Sequence, residues 1–265
     1  MAYTTEDLEH LPREDRRLAW AVPVDVTREL ARHALEWLNL EEATFFYIPS
    51  TLPTLWSTPT LELPQPQSLT EAVLEPRAWI GLQSGRTKPI RHRTVEFERE
   101  GRVACQDVDQ TRNTRDQLAQ LLDCLRWQPS GLDYAFIGWA HGGLTNMWWG
   151  DHMTYDLPGG LREGDVRGHR RLWSSYVPDA FGLQVLTEAH LERAHDLSDW
   201  DIEELAPGRH LVVARDLNPW LATPPPHPEN QYRLSTPPAD ILDAARADFG
   251  GMLITRDRAK ELDPL

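Results

Sequence analysis

Apolar positions recur with a helical period from Asp25 onward. Val26, Leu30, His33, Ala34, Trp37 and Leu38 fall at i, i+4, i+7, i+8, i+11 and i+12, one face of an amphipathic helix. Asp25 suits its N-cap. The polar residues 1–20 before it are expected to lie over the surface. Thr44–Ile48 reads as a short aromatic strand ending at Pro49, and the prolines of 49–68 predict an irregular loop or edge strands. The period then changes to two. Val95 and Phe97, a turn at Arg99-Glu100-Gly101, then Val103 and Cys105 predict a hairpin over 94–108.

Thr114 and Gln117 have capping-box spacing, and Leu118, Leu121, Leu122 and Leu125 continue as a helical stripe to Trp127. Pro129-Ser130-Gly131 breaks it. Tyr134–Trp139 reads as a buried strand and Phe181–Leu186 as another, with Thr187 capping a short helix through His195. Trp200–Leu205, Ala206-Pro207-Gly208 and His210–Ala214 form a second hairpin pattern. Residues 219–238 hold seven prolines, a stiff surface segment. Ile241, Leu242, Ala245 and Phe249 mark a closing helix that Gly250-Gly251 ends.

Strands arrive as hairpins, helices are few, and no βαβ rhythm or repeat occurs. The expected class is therefore α+β: an antiparallel sheet built from hairpins, with a few helices packed on one face and long irregular loops. The chain reads as one domain, 1–265, and a break near 128–132 leaves room for a pseudo-duplicated arrangement.

Charge narrows the partner. There are 41 acidic residues against 27 basic ones, a net charge of −14, which opposes nucleic acid and favours a basic protein. The basic residues are almost all arginine, with Lys88 and Lys260 the two lysines. Arg86, Lys88, Arg91 and Arg93 form one local cluster, and Arg162, Arg167, Arg170 and Arg171 another. No apolar run approaches the roughly 20 residues of a membrane span, and the acidic N-terminus lacks a secretory pattern, so a cytoplasmic protein is expected. Cys105 and Cys124 lack zinc spacing and read as small buried residues.

Candidate chemistry concentrates at 139–156, in WAHGGLTNMWWGDHMTYD. His141, Asp151, His152 and Asp156 supply two imidazoles and two carboxylates that could hold a divalent metal or act as an acid–base pair. Their spacing matches no established signature, and Asp151 and His152 would point to opposite sides of an extended chain. Polar loop residues beside aromatic packing are the simpler reading, and no cofactor is expected. Trp139, Trp148 and Trp149 surround the same loop as candidate contacts for a partner or ligand. Asp107 and Asp109 share a strand face, and a solvated strand end explains them better than an ion pair site. His190 and His195 are five apart and do not chelate. GxSxG, GxGxxG and phosphate-loop motifs are absent.

Residues 176–255, through YVPDAFGLQVLTEAHLERAHDLSDW, GRHLVVARD and ARADFGGMLIT, resemble an uncharacterised family of actinobacterial cytosolic proteins. The order of strand, short helix and hairpin over 181–214, in an acidic α+β setting, resembles the architecture of bacterial toxin-immunity proteins. That likeness implies an acidic cytosolic binding protein, an immunity-type neutraliser of a basic protein partner. The alternative is a metal-assisted hydrolase or small-ligand binder using the 139–156 loop. The sequence does not set the oligomeric state.

Overall fold

The alternating residues around 94–108 do pair as a hairpin. The structure, a computed structural model, describes residues 17–23, 25–38, 71, 74, 80–87, 90–98, 102–109, 114–139, 170–221 and 237–263. The chain divides into two compact units, Met1–Gly131 and Leu132–Leu265.

In the first unit, strand β1 (Arg17–Pro23) precedes helix α1 (Arg28–Leu38), strands β2 (Ile80–Thr87), β3 (Ile90–Glu98) and β4 (Arg102–Asp109), and helix α2 (Thr114–Leu125). β3 and β4 pair antiparallel from Arg91↔Asp109 to Glu98↔Arg102, with Val95 opposite Cys105 and Phe97 opposite Val103. All four of those side chains are buried. β2 pairs with β3 from Ile80↔Phe97 to Thr87↔Ile90, and β1 pairs with β4 from Arg17↔Asp107 to Ala21↔Val103. These three pairings are all antiparallel.

β1 corrects the expectation that residues 1–20 only cover the surface. LAWAV (18–22) is a run of five apolar residues, strand-like in length, whose character is lost when averaged with the acidic residues before it. β2 gave no strand signal because GLQSGR is rich in glycine and polar residues, and its pairing with β3 supplies what propensity does not.

Helix α1 begins two residues later than expected. Thr27 is the cap: its Oγ1 accepts the Leu30 N–H at 3.1 Å and donates to Gln128 Oε1 at 2.7 Å. Leu30, Ala31, Ala34, Leu35, Trp37 and Leu38 are buried, so the apolar stripe is wider than the sequence spacing implied. Trp37 packs edge-on to Trp127 at 6.0 Å and carries the Arg93 guanidinium 4.8 Å from its ring centroid. Along α2 the buried positions are Gln117, Leu121, Cys124 and Leu125, whereas Leu118 and Leu122 are half-buried.

The second unit is built on strands β5 (Leu132–Trp139), β6 (Leu183–Thr187), β7 (Trp200–Ala206) and β8 (Arg209–Ala214). β5 pairs with β6, β6 with β8 and β8 with β7, all antiparallel. Helices α3 (Glu188–Leu191), α4 (Asn218–Leu221), α5 (Ala239–Phe249) and α6 (Arg256–Leu262) complete it. Tyr134, Phe136, Val185 and Phe249 are fully buried, and Phe136 stacks on Phe181 with ring centroids 4.0 Å apart. Gln184, buried among them, accepts from the Tyr134 hydroxyl at 2.8 Å and donates to the Phe181 carbonyl at 3.0 Å, which satisfies its amide. The class is α+β.

Helix α3 is a single turn and does not reach His195. The backbone N–H groups of His195 and Asp196 both donate to the Asp248 carbonyl, at 2.8 and 3.0 Å, which draws the chain out of the helix toward α5. α5 ends at Gly250, whose φ of +46° favours glycine, as the Gly250-Gly251 pair suggested. Its successor α6, capped by the Thr255 side chain on Arg258 N, was not foreseen, because RDRAKEL has few apolar positions. Within 219–238, Asn218–Leu221 forms a helical turn, and 222–236 lie outside the described residues. So do Thr44–Ile48 and the proline-bearing 49–68.

Candidate functional site

The β7–β8 hairpin carries the most distinctive surface among the described residues. Its turn is Pro207-Gly208, and Gly208 sits at φ +69°, where a side chain would strain the backbone. β8 is apolar and largely buried at Leu211, Val212 and Ala214. β7 is buried only at its start. Trp200 packs on Phe249 with centroids 4.8 Å apart and donates its indole N–H to Asp248 Oδ2 at 3.0 Å. Trp220 lies 6.3 Å from it, against Gly182, where an added Cβ would fall 2.3 Å from the Trp220 ring.

Beyond that anchor β7 turns to solvent. Asp201, Ile202, Glu203 and Glu204 are all exposed, and Ile202, at 47% exposure, is one of two exposed large apolar residues described. Glu192, Asp196 and Asp199, which precede the strand in the chain, are also exposed. The backbone N–H of Ser198, at 2.8 Å, and the Ser198 hydroxyl hold the Asp196 carboxyl below its ordinary range. Among the described residues, Arg215 reaches Asp201 at 3.3 Å, and the His210 ring lies 2.7 Å from Glu188. The result is an electronegative strand with one apolar side chain in its middle.

The hairpin rests on a fixed polar base. Thr187 caps α3, and His190 Nδ1 accepts the Thr187 N–H at 2.9 Å while its Nε2 lies 3.1 Å from the Tyr176 carbonyl. An acceptor at Nδ1 requires the proton on Nε2, so the ring is neutral. Burial first of all lowers its pKa, to about 4. Asp179, fully buried, takes a bidentate contact from Arg246 (2.9 Å to each oxygen) together with the Ala180 N–H. Tyr176 holds Arg193 5.0 Å over its ring. Burial raises its phenol pKa, but hydrogen bonds from Arg193 and Arg258 outweigh this and leave it below the ordinary value. Arg193 also donates to the Ala189 carbonyl and Arg258 to Glu261, so the pair clamps this corner of the unit.

The residues singled out from sequence fare unevenly. Trp139 ends β5, and its side chain lies outside what is described. Trp148, Trp149, His141, Asp151, His152 and Asp156 all lie outside the described residues. Among the described residues no three His, Cys, Asp or Glu side chains are grouped to hold a metal ion. Asp107 is a correction: it is no solvated strand end but is buried, with Arg93 Nε 3.8 Å away across β3 and β4. Its phase was legible, since Asp107 follows Val103 and Cys105 at every second residue. Arg93 in turn leaves the basic surface cluster, donating to the Trp37 carbonyl at 2.5 Å and to Gln120 at 2.9 Å.

Cys105 and Cys124 are free and buried, as small core residues. Burial, then a hydrogen bond to Cys105, pushes the Cys124 thiol well up, which suppresses the thiolate and its reactivity. The acidic β7 was read from sequence only as one arm of a hairpin. Its signal was the run from Glu192 to Glu204, where six carboxylates face one guanidinium, Arg193.

Comparison with family models, with curated proteins and with solved structures returned no match. Among the described residues no helix is long and apolar enough to cross a membrane.

Proposed function

We propose that this is an acidic cytosolic binding protein that holds a basic protein partner, in the manner of an immunity protein neutralising a toxin. The observation that carries this reading is the exposed row Asp199, Asp201, Glu203 and Glu204 around Ile202. Carboxylates of one sign on a rigid strand steer a cationic surface in, and an exposed apolar side chain among them gives short-range contact once it arrives. The net charge of −14 acts in the same direction at longer range. The resemblance of 181–214 to immunity-protein architecture supports it by analogy.

The test is calorimetric binding of poly-L-lysine to the full chain at low and moderate salt. Neutralising Asp199, Asp201, Glu203 and Glu204 together to Asn or Gln should weaken binding at least tenfold. A control neutralising the exposed Glu29, Asp123, Asp240 and Asp257 should weaken it no more than about threefold, the diffuse effect of net charge alone. Equal losses in the two variants would remove β7 from the binding surface.

A further inference from the structure

We propose that Cys105 and Cys124 are a redox pair, two thiols that a peroxide closes into a disulfide fastening α2 to β4. The pair belongs to the first unit alone and is independent of the binding function. Cys105 sits midway along β4, opposite Val95 of β3 and Ala19 of β1. Cys124 lies on the buried face of α2 with Gln117, Leu121 and Leu125, and α2 packs against β4 and β1. Both cysteines are buried, and a hydrogen bond joins one sulfur to the other. Cys124 Sγ also lies 3.3 Å from the Gln120 carbonyl oxygen, one helical turn back. Arg93 reaches from β3 to the Gln120 side chain at 2.9 Å and holds this turn of α2 over the sheet. A strand and a helix, not a loop, thus present the two sulfurs to each other.

A peroxide is the oxidant class that suits a buried site, being small and uncharged. The Cys105 sulfur attacks one peroxide oxygen. An S–O bond forms, the O–O bond breaks, and the thiol proton leaves with the second oxygen as water. Cys124 then attacks the sulfur of that sulfenic acid. An S–S bond forms, the S–O bond breaks, and the departing hydroxide takes the Cys124 proton to become a second water. The two thiols lose two electrons and two protons in all, and the peroxide gains them. Burial pushes the Cys124 thiol well up, so it keeps its proton, and that proton is what the leaving hydroxide needs in the second step. No ion is left in the core when the bridge has closed. In a reducing compartment the pair stays as thiols and serves as packing. The bridge spans residues 106–123 and restricts the unfolded chain, so oxidation stabilises this unit.

The test exposes the folded full chain to hydrogen peroxide, alkylates the remaining thiols under denaturing conditions, and reads the unreduced tryptic peptides by mass spectrometry. Trypsin cuts between the two cysteines at Arg112 and Arg115, so a bridge joins two separate peptides. The expected product is a single chain lacking two hydrogens, with those peptides joined and both thiols restored by dithiothreitol. Its urea midpoint should lie above that of the reduced protein and return on reduction. Thiols that both remain alkylatable after prolonged peroxide would overturn the pair. Sulfinic acids without a crosslink, or a bridge found only between two chains, would do the same. The mass readout uses the unaltered protein, so it does not depend on whether a variant folds. Replacing both residues, Cys105→Ala with Cys124→Ala, should abolish the peroxide-dependent shift. A shift that persisted there would assign the stabilisation to another oxidation and remove the brace.

Discussion

His190 shows how far one side chain can be committed. Its Nδ1 holds the Thr187 N–H, its Nε2 proton reaches the Tyr176 carbonyl, and it is fully buried. Protonation would put a proton on the nitrogen that already accepts one and place a charge in a fully buried site. The unfolded chain takes up that proton near pH 6.5, whereas the folded protein does so only near about 4. Stability is therefore complete above pH 6.5 and falls as pH drops to about 4, by up to about 3 kcal/mol from this residue. Chemical unfolding at pH 7 and pH 4.5 should show the loss, and His190→Gln, though less stable at pH 7, should flatten the slope. A variant as steep as the parent would assign the acid sensitivity elsewhere. From sequence, His190 was legible only as one of two histidines that do not chelate. The capping geometry that defines its tautomer needs the three-residue turn back to Thr187, and a list of residue types does not display it.

At the scale of elements, turn chemistry was the most readable signal. Pro207-Gly208 and Gly250 fell where the sequence put them, because a positive φ leaves few alternatives to glycine. Strands that depend on their neighbours were the least readable: β1 hid behind acidic residues, and β2 exists through its pairing with β3. Helix starts were misjudged by a residue pair. Thr27, not Asp25, caps α1, and the same hydroxyl ties the helix to Gln128, 101 positions along the chain. Thr27→Ala should cost about 1–2 kcal/mol in urea unfolding, the loss of a cap plus a partly buried hydrogen bond, and Thr27→Ser should recover most of it. If the serine variant is as unstable as alanine, the methyl group rather than the hydroxyl holds this end.

Across the whole molecule, composition was legible and its placement was not. The excess of carboxylates could be counted, but only the pairing of β7 shows that a continuous part of it lies on a sheet edge with Ile202 among it. The aromatic and histidine-rich 139–156 segment gathers reactive residue types, whereas β7 gathers ordinary ones at the end of a sheet. That position has a second side. The charge that would invite a cationic partner would also keep identical molecules apart. Replacing Asp199, Asp201, Glu203 and Glu204 together by Asn and Gln would remove that charge and leave a sheet edge with an isoleucine in its centre. Light scattering of that variant should then report self-association that the parent lacks, suppressed by adding Ile202→Lys. Acidity in this protein would thus act as a colloidal guard, and a variant stripped of it would let the edges of separate copies meet.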